Sequence, residues 1–244
     1  MCNNIDSDKT RRIIQRASVE SRPNDVTLLQ QIGLKKFTAQ FFTVPPSFMK
    51  EVIHMACSKH EQQLQCGSVF EGDEVTRRRI EDLRTLGNHK MMFDYECLND
   101  TFATSVYPCI GTDVTLWSAP CAEIMTNYWD LRTNVNQEIM SIYDTAVSTV
   151  KKLKPRASLQ NVFQNFVFQH AMSKIAKLEG DKCQLFNEMR NCVLPRLMQQ
   201  CGFEAAFAVN TSIGLGYLRT ERRERLNLDF RNFDYVLDAR CEGL

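Results

Sequence analysis

Ten cysteines stand out in a chain of 244 residues: Cys2, Cys57, Cys66, Cys97, Cys109, Cys121, Cys183, Cys192, Cys201 and Cys241. Thiols can ligate metal, act as nucleophiles, pair as disulfides or pack as small hydrophobes, and spacing separates these roles. His54-x-x-Cys57-x-x-His60-x5-Cys66 brings four soft or borderline ligands into thirteen residues, a donor set that suits zinc. The same segment has helical apolar spacing, which turns Cys66 away from Cys57 and His60. One straight helix rarely supplies more than two ligands to one ion, so a packed helix is the expectation and no metal or other cofactor is implied.

Catalytic patterns are missing. The chain has no G-x-S-x-G, no phosphate-binding G-x-x-x-x-G-K-[ST] and no G-x-G-x-x-G, and its carboxylates are spread over charged faces. A non-enzymatic protein is therefore expected. The interior cysteines Cys57, Cys66, Cys97, Cys109, Cys121, Cys183, Cys192 and Cys201 read as disulfide partners or buried thiols. Cys2 and Cys241 lie in polar ends that cannot easily bury them; pairing within the chain, pairing to another chain and chance exposure are the three options, and in an assembly these two are the candidates for an intermolecular disulfide.

Three arginine clusters are candidates for ion pairs or phosphate contacts: Arg11, Arg12 and Arg16; Arg77, Arg78 and Arg79; and Arg222, Arg223 and Arg225 with Arg219. Phosphate binding needs such charges to converge. Glu81 and Asp82 follow the second cluster, and Glu221 and Glu224 interrupt the third, so salt-bridged helix surfaces are expected. A net charge of +1 gives no overall attraction to nucleic acid or membrane. Asn99-Asp100-Thr101 and Asn210-Thr211-Ser212 match the N-glycosylation pattern, which carries weight only in a secreted protein.

Helices must position these residues. Ile13, Ile14 and Ala17 oppose the arginines of 8–20, and Pro23 ends that segment. Asn24 caps a second helix expected to reach about Phe42, before Pro45-Pro46. Ser47 opens a third toward Gly67. Further helices are expected from Asp73 to Gly87 and over about 90–102. Residues 105–120, punctuated by Pro108, Gly111 and Pro120, read as loop or short strand. Apolar spacing from Ile124 to Val147 predicts one long helix, or two broken near 134–136. Ser158 starts another that Gly180 should end, and Asp181 opens the next, kinked at Pro195 before Gly202.

The tail breaks the pattern. Leu226, Leu228 and Phe230, then Phe233, Tyr235 and Leu237, alternate with polar residues and predict a strand-like assembly arm over 225–244. The fold expected is mainly α: one compact multi-helix domain over 1–244 with a short C-terminal β-hairpin or exchanged strand arm. Residues 1–22 form a second candidate assembly element, an N-terminal arm or helix.

Taken together, the cysteine-rich composition, the absence of catalytic patterns and the two arms resemble an occlusion-body matrix protein of insect viruses, a polyhedrin, of the nudivirus kind rather than the β-rich kinds. That resemblance implies self-assembly through arm exchange, ion pairs and disulfides into a crystalline matrix that protects virions and opens in alkali. The partner would be the chain itself, with the virion surface as a second contact and no membrane. Its place would be the nucleus or cytoplasm of an infected cell, in keeping with a polar N-terminus that shows no secretion signal. The alternative is an intracellular helical nucleic-acid-binding or adaptor protein that uses its arginine-rich faces.

Overall fold

The computed structural model describes residues 7–34, 36–68, 95–112, 114–153, 155–216 and 238–242. Nine α-helices run through these residues, and no strand occurs among them. In chain order they are α1 (Ser7–Glu20), α2 (Pro23–Gln31), α3 (Lys36–Phe42), α4 (Pro46–Ser68), α5 (Tyr107–Thr112), α6 (Val114–Ser118), α7 (Ala122–Lys152), α8 (Gln160–Cys201) and α9 (Phe203–Gly216). Residues 225–237, where the strand arm was expected, lie outside the described residues, as does the helix expected over 73–87.

The chain groups into two compact units. The first comprises Met1–Gln30, Leu34–Pro120 and Val193–Ile213; the second comprises Gln31–Gly33, Cys121–Cys192 and Gly214–Leu244.

In the first unit, α1 buries Ile13 and Ala17 and exposes Arg11, Arg12 and Arg16. The described part of the N-terminal element thus packs on its own chain. Arg16 lies 4.6 Å over the Phe48 ring and pairs with Glu51 at 3.5 Å. The single helix expected over 24–42 is two, because Gly33 adopts φ +102° between α2 and α3, a conformation that costs glycine little. α4 starts at Pro46, whose fixed φ suits a first helical turn. It then buries Phe48, Met49, Val52 and Ile53.

The stretch 105–120, expected as loop or strand, is helical. A π-helical turn over Phe102–Val106 leads into α5, α6 and a 3₁₀ turn at Ala119–Cys121. Pro108 falls in the first turn of α5, directly after the π-helical turn. Burial of Phe102, Val106, Tyr107, Ile110, Val114 and Trp117 overrides the turn-forming residues. Phe42 meets Tyr107 at 4.9 Å, Phe102 meets Tyr107 at 5.6 Å, and Trp117 Nε1 donates to the Ile110 carbonyl at 3.2 Å. A Cβ on Gly111 would collide with the Phe42 carbonyl, so glycine is required at that crossing.

In the second unit, α7 runs unbroken through 134–136 and packs antiparallel on the 160–192 part of α8. Val135 and Ile139 cluster with Met172 and Ile175, while Tyr128 meets Phe186 at 5.4 Å. Lys182 is fully buried there, and its Nζ donates to Asn136 Oδ1 at 3.3 Å. Neither Gly180 nor Pro195 ends α8, which continues for 42 residues. It stops at Gly202, where φ +89° and an N–H bond to the Met198 carbonyl at 3.0 Å make a left-handed cap.

Candidate functional site

Eight cysteines pair at bonding distance: Cys57–Cys97, Cys109–Cys201, Cys121–Cys192 and Cys183–Cys241. The first two bonds close within the first unit and the other two within the second. They span 40, 92, 71 and 58 residues. On a chain-entropy account, closing loops of such lengths stabilises by about 4 kcal/mol each. No described cysteine is free. Cys66 lies on α4 with its side chain outside the described set, and Cys2 is outside it altogether.

Of the options open to Cys241, the structure has pairing within the chain. Cys241 was a candidate for a bond to another chain because the tail looked unable to bury it. Instead it is 1% exposed, bonded to Cys183, with Sγ 3.5 Å from the Glu179 carbonyl. The tail achieves this through residues 238–242, which form a clasp on α8. Asp238 Oδ1 caps the 3₁₀ turn Ala239–Cys241 by accepting the Arg240 N–H at 3.0 Å. Arg240 donates from Nε and Nη2 to the two Asp238 oxygens at 2.9 and 3.0 Å, and from Nη1 to Asp181. The same guanidinium reaches the Lys177 carbonyl at 3.4 Å.

That geometry explains Gly180. A Cβ at this position would run into Asp238 and Arg240, so glycine in mid-helix makes room for the clasp instead of ending the helix. Hydrogen bonds from the Arg240 side chain, then from its N–H, hold the Asp238 carboxyl down at about 2. Arg240 is in turn pushed above its ordinary value by its bonds to Asp238 and then Asp181.

A second polar cluster lies beside Cys57–Cys97. Asp100 pairs with Lys50, and His54 Nε2 lies 3.7 Å from its other oxygen. The Lys50 hydrogen bond is the main reason that the Asp100 carboxyl lies below its usual range. Asn99 Oδ1 accepts from the Thr101 N–H at 2.7 Å and from the Thr101 hydroxyl. Burial pushes the neighbouring half-buried Glu96 up to about 8.

Among the described residues the possible zinc ligands do not assemble. The Cys57 sulfur is committed to Cys97, His54 faces Asp100, and no metal-binding group of three or more ligands occurs among the described residues. The side chains of His60 and Cys66 lie outside the described residues. So do Arg77, Arg78, Arg79, Arg222, Arg223 and Arg225, and the arm residues Leu226, Leu228, Phe230, Phe233, Tyr235 and Leu237.

Two surfaces were not singled out from sequence. An open groove of ≈ 1430 Å³ runs along α7 from Trp129 to Lys152, past Arg132, Asn136 and Asp144. Thr133, Thr145 and Thr149 in it donate their hydroxyls to carbonyls four residues back, an ordinary helix-surface use. Leu159, in the 3₁₀ turn just before α8, and Val162 and Phe166 on α8 are 55%, 65% and 68% exposed. At 100° per residue Phe166 points opposite to buried Ile175, away from the unit's core. The sequence signal for this stripe was present: residues 157–173 contain no Asp, Glu, Lys or Arg.

No helix among the described residues is long and apolar enough to cross a membrane. Neither a protein-family model, nor a curated protein, nor a solved structure matches the chain.

Proposed function

We propose that this is a non-enzymatic protein of an oxidising compartment, built as two disulfide-stapled helical units and acting through contacts with other proteins. The observation that carries the reading is the cysteine pairing: eight thiols find partners 40–92 residues away, and each bond closes inside one unit. Pairing of all eight cysteines whose side chains are described supports the reading, since disulfide frameworks belong to secreted and lumenal proteins. This reading replaces the nucleus or cytoplasm of an infected cell with an oxidising compartment.

Alkylation of protein from its native source, with and without reductant, tests it. Cys57, Cys97, Cys109, Cys121, Cys183, Cys192, Cys201 and Cys241 should resist alkylation until reductant is added, and paired peptides should appear by mass. Labelling of these cysteines without reductant would sink the reading.

Self-assembly into a protective matrix is the second reading, favoured by the exposed Leu159, Val162 and Phe166 stripe. Its charge-free surroundings let two copies of one face meet without like-charge repulsion. Cys241, being internally bonded, would not supply the cross-link. Concentration-dependent association in neutral buffer, reversed in alkali and abolished by Phe166→Glu, is expected. A monomer at every concentration would remove this reading and leave the first.

A further inference from the structure

We propose that Asn99 is an N-glycosylation site and that Asn210 is not. The proposal rests on the oxidising-compartment reading, since the modifying machinery works where disulfides form. Asn99-Asp100-Thr101 satisfies N-x-[ST] with a middle residue other than proline. All three residues are exposed, and they lie just after the 95–98 helical turn, immediately before the π-helical turn. A bulky, solvated glycan needs such a position.

The local geometry is already that of an acceptor. Asn99 Oδ1 accepts from both the N–H and the hydroxyl of Thr101, forming an Asx turn. Those two donors draw electron density toward the carbonyl oxygen. They also fix the side chain so that Nδ2 makes no hydrogen bond among the described residues. The Thr101 hydroxyl thereby has a defined role that serine could share and alanine could not. The turn is braced from outside by the Asp100 pair with Lys50, and by the Cys57–Cys97 bond two residues upstream.

Asn210-Thr211-Ser212 offers the same letters in the wrong setting. It lies in the middle of α9, where the backbone is helical, Asn210 is half-buried and Thr211 is 6% exposed. A helical acceptor cannot form the Asx turn, and a glycan there would have to displace packed neighbours.

The donor is a lipid-pyrophosphate-linked oligosaccharide, presented by an oligosaccharyltransferase. Asn99 Nδ2 forms a bond to the anomeric carbon as that carbon's bond to the pyrophosphate oxygen breaks. The leaving pyrophosphate keeps the electron pair, and the amide nitrogen gives up one proton to water. No oxidant or reductant is involved.

The test is the full chain secreted from insect cells behind a cleavable leader, with and without N-glycosidase treatment, followed by peptide mass mapping. The wild-type protein should show one discrete mass step that the enzyme removes, with Asn99 recovered as aspartate and Asn210 unmodified. Asn99→Gln and Thr101→Ala should lose the step, Thr101→Ser should retain it, and Asn210→Gln should leave it unchanged. Secreted protein with its disulfides formed and Asn99 unmodified would overturn this proposal and leave the compartment reading standing. Secreted protein whose cysteines alkylate without reductant would overturn both.

Discussion

Cys241 is bonded to Cys183 across 58 residues of sequence and is 1% exposed, so the C-terminal turn is fastened to the middle of α8. Around that bond Arg240 joins Asp238 to Asp181, while Gly180 leaves the space beneath. Covalent, ionic and steric features therefore converge on one short stretch of helix. Each can be removed separately.

Replacing both partners, Cys183→Ala with Cys241→Ala, should lower the unfolding free energy by about 3–4 kcal/mol on the chain-entropy account. Guanidinium titration would measure it. The double replacement avoids leaving a single thiol free to exchange. A loss below about 1 kcal/mol would mean that the clasp holds the turn without the bond.

Gly180→Ala should destabilise, although the same change in an open helix interior stabilises by about 1 kcal/mol. The new methyl meets Asp238 and Arg240, so the turn must shift or the clasp must open. Combining it with Arg240→Ala should recover part of the loss. A stabilising Gly180→Ala, read by thermal melting, would show that the turn does not rest on the helix at this point.

Acid should loosen the clasp. The Asp238 carboxyl is held at about 2 in the fold, below its ordinary value of 3.8. A depressed carboxylate contributes stability that is complete above the unfolded value and is lost as pH falls from about 3.8 toward 2. Asp238→Asn should flatten the stability profile in that window, measured by denaturant midpoints at closely spaced pH values. Between neutral pH and pH 5 the wild type remains fully stabilised, so the two profiles should run parallel there.

Rising pH should act at Glu96 with the opposite sign. Its carboxyl is raised from 4.5 to about 8, so the folded state holds a proton that the unfolded state has already released. Stability then falls as pH climbs from about 4.5 to 8. Glu96→Gln should remove that decline and be the more stable protein above pH 8, by on the order of 1 kcal/mol or more. Equal profiles for the two proteins would show that the ionised carboxylate is well solvated.

Local chemistry in the sequence was enough to locate most of the helices. Ile13 and Ala17 against Arg12 and Arg16, the Pro45-Pro46 stop and the spacing from Ile124 to Val147 all appear as expected. Periodicity and backbone restrictions act over a few residues, and those are visible along the chain. The same local rules misread Gly33, Gly180 and Pro108. Glycine breaks a helix at 33, where it turns left-handed, but not at 180, where it makes space. Pro108 looked like a loop residue until burial of Tyr107 and Ile110 on either side drew it into a helical turn.

Abundant cysteine, a mainly helical fold and the N-x-[ST] triplets were determined by the sequence alone, because composition and short spacing contain them. The tertiary structure decided which cysteine meets which, and that Cys241 turns inward. It also separated an exposed Asn99 in an Asx turn from Asn210 inside α9. The physical reason is distance. Partners 40–92 residues apart are chosen by packing of whole helices, and accessibility is a property of what lies against a residue, which its neighbours in sequence do not specify.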